Sequence, residues 1–237
     1  MEKIYLRLVK GIREYFKKNS FSKAVIGLSG GIDSAIVCFL TVKALGNKNV
    51  TALLMPEKGI SSKSSVDDAL MLAKKLKIKY YIISINDFIK NYNFSWKENK
   101  NSSTNTKARI RATILYHYAN SNNALVVGTS NRTELEIGFF TKYGDGAVDL
   151  EPIGNLYKTD EYKLAMHLGL PKEFLNKRPS AELYRGHTDE DEIGASYLEI
   201  DAVLKGKLKK GKVFDKIQKR IKANKHKTEP VFIIKLI

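Results

Sequence analysis

Apolar positions along the 237-residue chain switch repeatedly between two spacings, and the switches predict its elements. Ile4, Leu8, Ile12 and Phe16 recur at helical spacing, so an amphipathic helix opens the chain. Residues 23–28 are a short, β-prone apolar run followed at once by Ser29-Gly30-Gly31. Residues 32–45 have helical length and stop at Gly46, a natural C-cap. Strands are then expected at 50–55 and 80–85, with an amphipathic helix over 62–76 between them. Residues 86–106 are polar and rich in Asn, Ser and Lys, which predicts a long loop with little structure of its own. A helix over 107–119 and a strand over 124–127, ending in Gly128-Thr129, complete four strand–helix alternations. That alternation predicts an α/β fold: a doubly wound, mostly parallel, Rossmann-like sheet with helices on both faces.

Beyond Arg132 the pattern loosens. A glycine- and aspartate-bearing loop is expected over 141–152, and a helix over 159–168 stopped by Gly169 and Pro171. Thr188 with Asp191 reads as a capping box opening one helix that runs to about Leu204. A last helix, 213–224, precedes a basic tail, Lys225-His226-Lys227. With no internal repeat and no linker, residues 1–237 read as a single domain.

Composition narrows the class rather than the function. With 43% hydrophobic and 28% charged residues the chain reads as an ordinary globular protein. No run is long enough to span a bilayer, and the mixed N-terminus predicts no secretory leader, so a cytoplasmic protein without a membrane partner is expected. Cys38 is the only cysteine and lies in an apolar stretch, which excludes an intrachain disulfide and predicts a buried thiol. The net charge of +16 comes mostly from scattered lysines, the pattern of a solvated exterior, so a nucleic-acid partner is not expected from charge.

Chemistry enters with Gly27-Leu28-Ser29-Gly30-Gly31-Ile32-Asp33-Ser34, set between a predicted strand and a predicted helix. Glycines let the backbone approach an anion, and a helix N-terminus supplies oriented N–H groups. Ser29 and Ser34 add hydroxyl donors. Asp33 would repel phosphate directly, so its natural role is to hold a Mg2+ that bridges phosphate oxygens. The run lacks the Lys-Ser/Thr ending of the Walker pattern and does not match G-x-G-x-x-G. It resembles the pyrophosphate loop (PP-loop) of the ATP pyrophosphatases, which split ATP between the α and β phosphates. The loop alone does not choose among NAD, GMP, asparagine and argininosuccinate synthetases and several tRNA-modifying enzymes.

Further segments narrow the resemblance to the NAD synthetases. Asn105-Thr106-Lys107-Ala108-Arg109-Ile110-Arg111 looks like their arginine-bearing helix start, and Gly128-Thr129-Ser130-Asn131-Arg132-Thr133-Glu134 like their second ATP and metal segment. Thr141-Lys142-Tyr143-Gly144-Asp145-Gly146 through Asp149 is similar to their most distinctive loop. Leu156-Tyr157-Lys158-Thr159, then Pro179-Ser180-Ala181-Glu182-Leu183, then His226-Lys227 follow in the family's order. The resemblance implies ATP contacts at Gly27 to Ser34, Thr129, Lys158 and Ser180, and Mg2+ between Asp33 and Glu134. It implies contacts to deamido-NAD from Arg109, Lys142, Asp149, His226 and Lys227. Each role has a physical rationale: Lys142 and Lys158 offset phosphate charge, Arg109 grips a phosphate bidentately, and Asp149 accepts ribose hydroxyls. Ser180 stands where the family usually has Thr, and Thr228 where Arg is common.

The implied reaction activates a pyridine carboxylate as an acyl-adenylate, which ammonia then aminates with loss of AMP. No side chain is needed as a covalent nucleophile. Ammonia rather than glutamine is expected because only one helix precedes the loop, leaving no room for a glutaminase domain, although a separate subunit could deliver it. A homodimer is implied by the resemblance. Two rival readings are a tRNA-modifying relative and a nucleotide-binding module without turnover. The first leaves 141–149 unexplained, and the second has little need of paired carboxylates at Asp33 and Glu134.

Overall fold

Three of the four strands are built from residues that have no reason to meet water. β2 (Val50–Leu54) is buried at all five positions and β4 (Ala124–Val127) at all four, as strands covered on both faces must be. β1 (Lys23–Gly27) lies between them, and β3 (Lys79–Ile82), more exposed, forms the edge. In this computed structural model, which describes residues 1–180, 182, 184 and 186–236, every pairing is parallel and the order is β3-β2-β1-β4. The chain leaves β1 toward β2 on one side and returns to pair β4 on the other. Such a switch opens a crevice at the strands' carboxyl ends.

The pleat sends alternate residues to opposite faces. Ala24 and Ile26 join α1 (Glu2–Lys18) and α2 (Ile32–Leu45) in one core, while Val25 packs with Ile110 and Ile114 on the other face. Each fully buried Val, Ile or Leu stabilises the fold by about 1.5–3 kcal/mol. The doubly wound expectation therefore holds. Cys38 is buried, and burial pushes its thiol up to about 12.

The remaining helices are α3 (Lys63–Lys75), α4 (Asn86–Ile89), α5 (Lys100–Asn122), α6 (Arg132–Ile137), α7 (Lys158–His167) and α8 (Lys172–Asn176), followed by α9 (Asp189–Ile193), α10 (Tyr197–Leu204) and α11 (Lys212–Thr228). Three expectations are corrected. The polar stretch 86–106 is not a loop throughout: it holds α4, and α5 begins at Lys100 behind an Asn99–Ser102 capping box. The helix expected from Thr188 to Leu204 is two, because Gly194 adopts a left-handed φ of 71° and ends α9. Residues 225–227 are no tail but the last turn of α11. Ile137, Ile193, Tyr197, Ile200 and Ile217 form a small separate core joining α6, α9, α10 and α11. No helix among the described residues is long and apolar enough to cross a membrane.

Candidate active site

A cavity of about 670 Å3 opens where β1, β2 and β4 end, floored by Gly27, Met55 and Gly128. The glycine loop forms one wall. Gly30 has φ +83°, and a Cβ there would lie 2.1 Å from the carbonyl oxygen of Ser65, so only glycine fits. Ser34 Oγ donates to Gly31 O (3.0 Å), and Ser29 Oγ accepts from Gly31 N (3.2 Å). These hydroxyls shape the loop from within as well as facing the cavity. Gly31 begins α2 without any side-chain cap, which leaves the first-turn amides free to meet an anion. Of the eight loop residues, all but Gly30 line the cavity.

Asp33 and Glu134 reach the cavity from α2 and α6 and are tied together by Asn131. Asn131 Nδ2 donates to Asp33 Oδ1 (3.0 Å), and its backbone N–H donates to Glu134 Oε2 (3.2 Å) in the capping box of α6. Burial works to raise the Asp33 carboxyl, but the Lys158 charge and hydrogen bonds with Glu161, Lys158 and Asn131 together outweigh it and hold Asp33 below the ordinary carboxylate range. Burial first, and then the charge on Asp33, push Glu134 well above that range. Glu134 stays raised even with Lys158 nearby, so ionising both carboxyls calls for a further cation, and the pair would fit one. Among the described residues no group of three His, Cys, Asp or Glu side chains is placed to hold a metal ion.

Lys158, implied to contact ATP, is fully buried, donates to both oxygens of Asp33 (2.6 and 2.5 Å), and lies 3.4 Å from Glu161. The structure places it behind Asp33, which it supports directly, rather than in the cavity wall. Asp149, implied to contact deamido-NAD, is held by the sheet edge. Its Oδ2 accepts from the Val126 N–H (2.8 Å) and its Oδ1 from Tyr116 (3.3 Å), which caps the free edge of β4. It too is absent from the cavity wall.

Thr129, Ser180 and Lys227 do line the cavity. Ser180 Oγ donates to His187 O (2.5 Å) and accepts from Glu182 N (3.0 Å), so its hydroxyl ties Glu182 to His187. Ala181 and Leu183 of the family-like segment lie outside the described residues. Lys227 Nζ donates to Gly138 O and Phe140 O, both at 2.9 Å. Arg109, Lys142 and His226 gather instead beside the cavity. Arg109 donates to Lys142 O (3.2 Å through Nη2), and Lys142 Nζ donates to His226 O (2.7 Å).

Several residues with clear roles were given no contact by the sequence reading. Arg111, named there within a family-like segment, lines the cavity and donates to Met55 O (3.0 Å). Glu182, likewise named within a segment, accepts from Ser62 and Ser65 (2.7 and 2.6 Å), while Lys177 meets Asp68 (2.6 Å) and Gly30 O (3.1 Å). Lys177 and Glu182 thus strap their part of the chain to the phosphate loop and the first turn of α3. Arg220 left a fainter trace, its i, i+7 spacing from Lys227 on one helix face.

Comparison with known proteins places this geometry. The family model described as NAD synthase matches residues 4–234. The NH(3)-dependent NAD(+) synthetase of Archaeoglobus fulgidus is 43% identical over 233 residues, covering 96% of this chain and 94% of that one. Among solved structures, the NMN synthetase of Francisella tularensis superposes with a TM-score of 0.94 at 36% identity, covering 99% of this chain and 98% of its own. The NH3-dependent NAD synthetase of Campylobacter jejuni, solved with a nitrate ion, gives 0.82 at 36% identity and covers 99% of each chain. The chain with its open-capped glycine loop and carboxylate pair belongs to the NAD synthase family.

Proposed function

We propose that this chain is an ammonia-using synthetase that converts deamido-NAD to NAD at the expense of ATP, releasing AMP and pyrophosphate. The observation that carries the reading is one cavity faced by both the uncapped amides of α2 and the Asn131-linked pair of Asp33 and Glu134. The pyridine carboxylate oxygen attacks the α-phosphorus, and the bond to the bridging oxygen of pyrophosphate breaks. Ammonia then attacks the acyl carbon, AMP departs, and the nitrogen loses a proton to solvent. Loop amides take phosphate oxygens as charge develops on the leaving group. Asn131 and Lys158 hold the Asp33 carboxylate ionised and aimed. A Mg2+ held by Asp33 and Glu134 would supply electrophilic stabilisation of the phosphates.

The family assignment supports NAD-forming chemistry, and similarity over 96% of this chain to a synthetase named for ammonia supports ammonia as the nitrogen donor. We read the protein as cytoplasmic, consistent with its lone buried thiol, and as a homodimer. A second reading keeps the chemistry but takes the mononucleotide, because the Francisella NMN synthetase superposes with the higher TM-score. Both are tested by incubating the protein with ATP, Mg2+ and ammonium plus either deamido-NAD or nicotinic acid mononucleotide, with mass-resolved detection. Equal yields of NAD, AMP and pyrophosphate from deamido-NAD support the first reading, and preferential amidation of the mononucleotide supports the second. AMP and pyrophosphate from neither nucleotide would overturn both.

A further inference from the structure

The cavity has a second charged pole that neither the glycine loop nor the carboxylate pair explains. It is carried by α11, whose Arg220, Asn224 and Lys227 follow one another along a single face and line the wall. This face is held rigidly. Asn224 Nδ2 donates to Ile137 O (3.1 Å), and Lys227 grips the carbonyls of Gly138 and Phe140. Gly138 lets the two backbones close in: with φ +64°, a Cβ there would lie 2.3 Å from Asn224 Cβ. The pole is thus built, not a floppy surface cation.

Glu192 and Asp145 lie near enough to act on these cations, but neither forms an ion pair with them among the described residues. Arg220 lies over the Phe139 ring, its guanidinium carbon 5.1 Å from the ring centroid, and makes no ion pair among the described residues. Its Nε is buried without a hydrogen-bond partner. Burial lowers the Arg220 pKa, only partly offset by Glu192, which itself accepts from His187 (2.8 Å). Lys227 is lowered by burial and then by repulsion from Arg220. Two cations brought together in a partly dry wall, one with an unused donor, cost stability unless something anionic arrives. Phe139 packs against the guanidinium, and arginine is the side chain best suited to grip a pair of phosphate oxygens.

We propose that Arg220, with Lys227 beside it, forms an anion-binding pole for a phosphate oxyanion of a nucleotide held in this cavity, distinct from the glycine loop. The inference rests on the synthetase reading above. That phosphate belongs either to ATP or to the pyridine nucleotide, and the two sources are separable by experiment. The charged ends of the cavity then divide the work: the Asp33–Glu134 end receives a cation, and the α11 end receives an anion.

The test compares wild type with Arg220→Met and Arg220→Lys, using calorimetric titration with Mg-ATP and, separately, deamido-NAD. Arg220→Met is expected to weaken one of the two nucleotides roughly 10- to 100-fold, as loss of a charge-assisted hydrogen bond predicts, with Arg220→Lys recovering part of that loss. Which titration shows the loss identifies the source. The ligand-free Met variant is expected to melt at or above wild type, because an unpaired buried charge has been removed. Binding of both nucleotides within twofold of wild type would overturn the proposal. So would a lower melting temperature with binding equally weak in the Lys and Met variants, since Arg220 would then serve packing alone. If wild type binds phosphates but never forms NAD or its mononucleotide counterpart, the synthetase reading falls while the pole stands.

Discussion

Glu151 is a carboxyl set where a carboxylate is uncomfortable. One oxygen accepts from the Ser130 N–H (2.9 Å), and the other is buried with no partner among the described residues. Burial raises its pKa from 4.5 to about 8. Below pH 4.5 folded and unfolded chains both hold the proton, and the group costs nothing. As pH climbs to about 8 the unfolded chain releases that proton and the folded chain retains it, so stability is lost across this window. The full loss is at most about 5 kcal/mol. Glu151→Gln is expected to match wild type in thermal melts at pH 4 and to be the more stable protein at pH 8. Parallel melting curves across that range would show the carboxyl to be ionised in the fold. Asp149 offers a second residue-level contest, between the substrate contact its motif implies and the strand cap the structure gives it. Asp149→Ala leaves the buried N–H of Val126 without its side-chain acceptor, and is expected to lower stability by about 1–3 kcal/mol with little change in KM. A stable variant with KM raised tenfold would favour the substrate role instead. Such cases mark the limit of motif reading. Asp33 and Glu134 were legible because their spacing from strand ends fixes where they point, whereas Asp149 and Lys158 carry motif letters whose direction depends on neighbours such as Val126 and Glu161.

Elements were legible in proportion to their burial. β1, β2 and β4 are runs of buried apolar residues and announce themselves, and α2 follows its glycine loop without a gap. The start of α5 was hidden because Lys100 to Thr106 is made of residues with poor helix propensity. It is helical because Asn99 and Ser102 cap it reciprocally, while Thr104 and Thr106 satisfy their hydroxyls on carbonyls one turn earlier within the helix. The break at Gly194 was missed for the opposite reason, a helical pattern continuing across a left-handed glycine. At this scale the strap over the phosphate loop matters most. Glu182 ends on the first turn of α3, accepting from the Ser62 N–H and from two serine hydroxyls, and Lys177 ties the same turn to Gly30 O. Glu182→Ala is expected to release the strap, raising KM for ATP about tenfold and speeding cleavage within 177–187 by a nonspecific protease. Unchanged KM with faster cleavage would separate the strap from nucleotide binding.

At the scale of the whole molecule, apolar surface is unevenly covered. Helix α11 ends at Thr228, and beyond it Val231, Phe232, Ile233, Ile234 and Leu236 are between 67% and 94% exposed. An exposed apolar run of this kind marks a contact surface, and we propose that a second copy of the chain covers it. The high positive charge opposes close association of two copies, so an apolar contact has to supply the attraction. The run also follows directly on Lys227, a lining residue of the cavity, so a subunit contact made there would bear on the site through α11. Ending the chain after Pro230 removes the run without touching any helix or any of the three cores. Far-ultraviolet circular dichroism is therefore expected to be unchanged, while sedimentation equilibrium shows dimer dissociation at least tenfold weaker, a change of about 1.4 kcal/mol or more. Salt sharpens the comparison: screening of like charges tightens the wild-type dimer, and the shortened chain gains the same increment from a weaker starting point. A shortened chain that dimerises as tightly as the full one at every salt concentration would assign the contact to another face, and the exposed run would then have no part in subunit pairing.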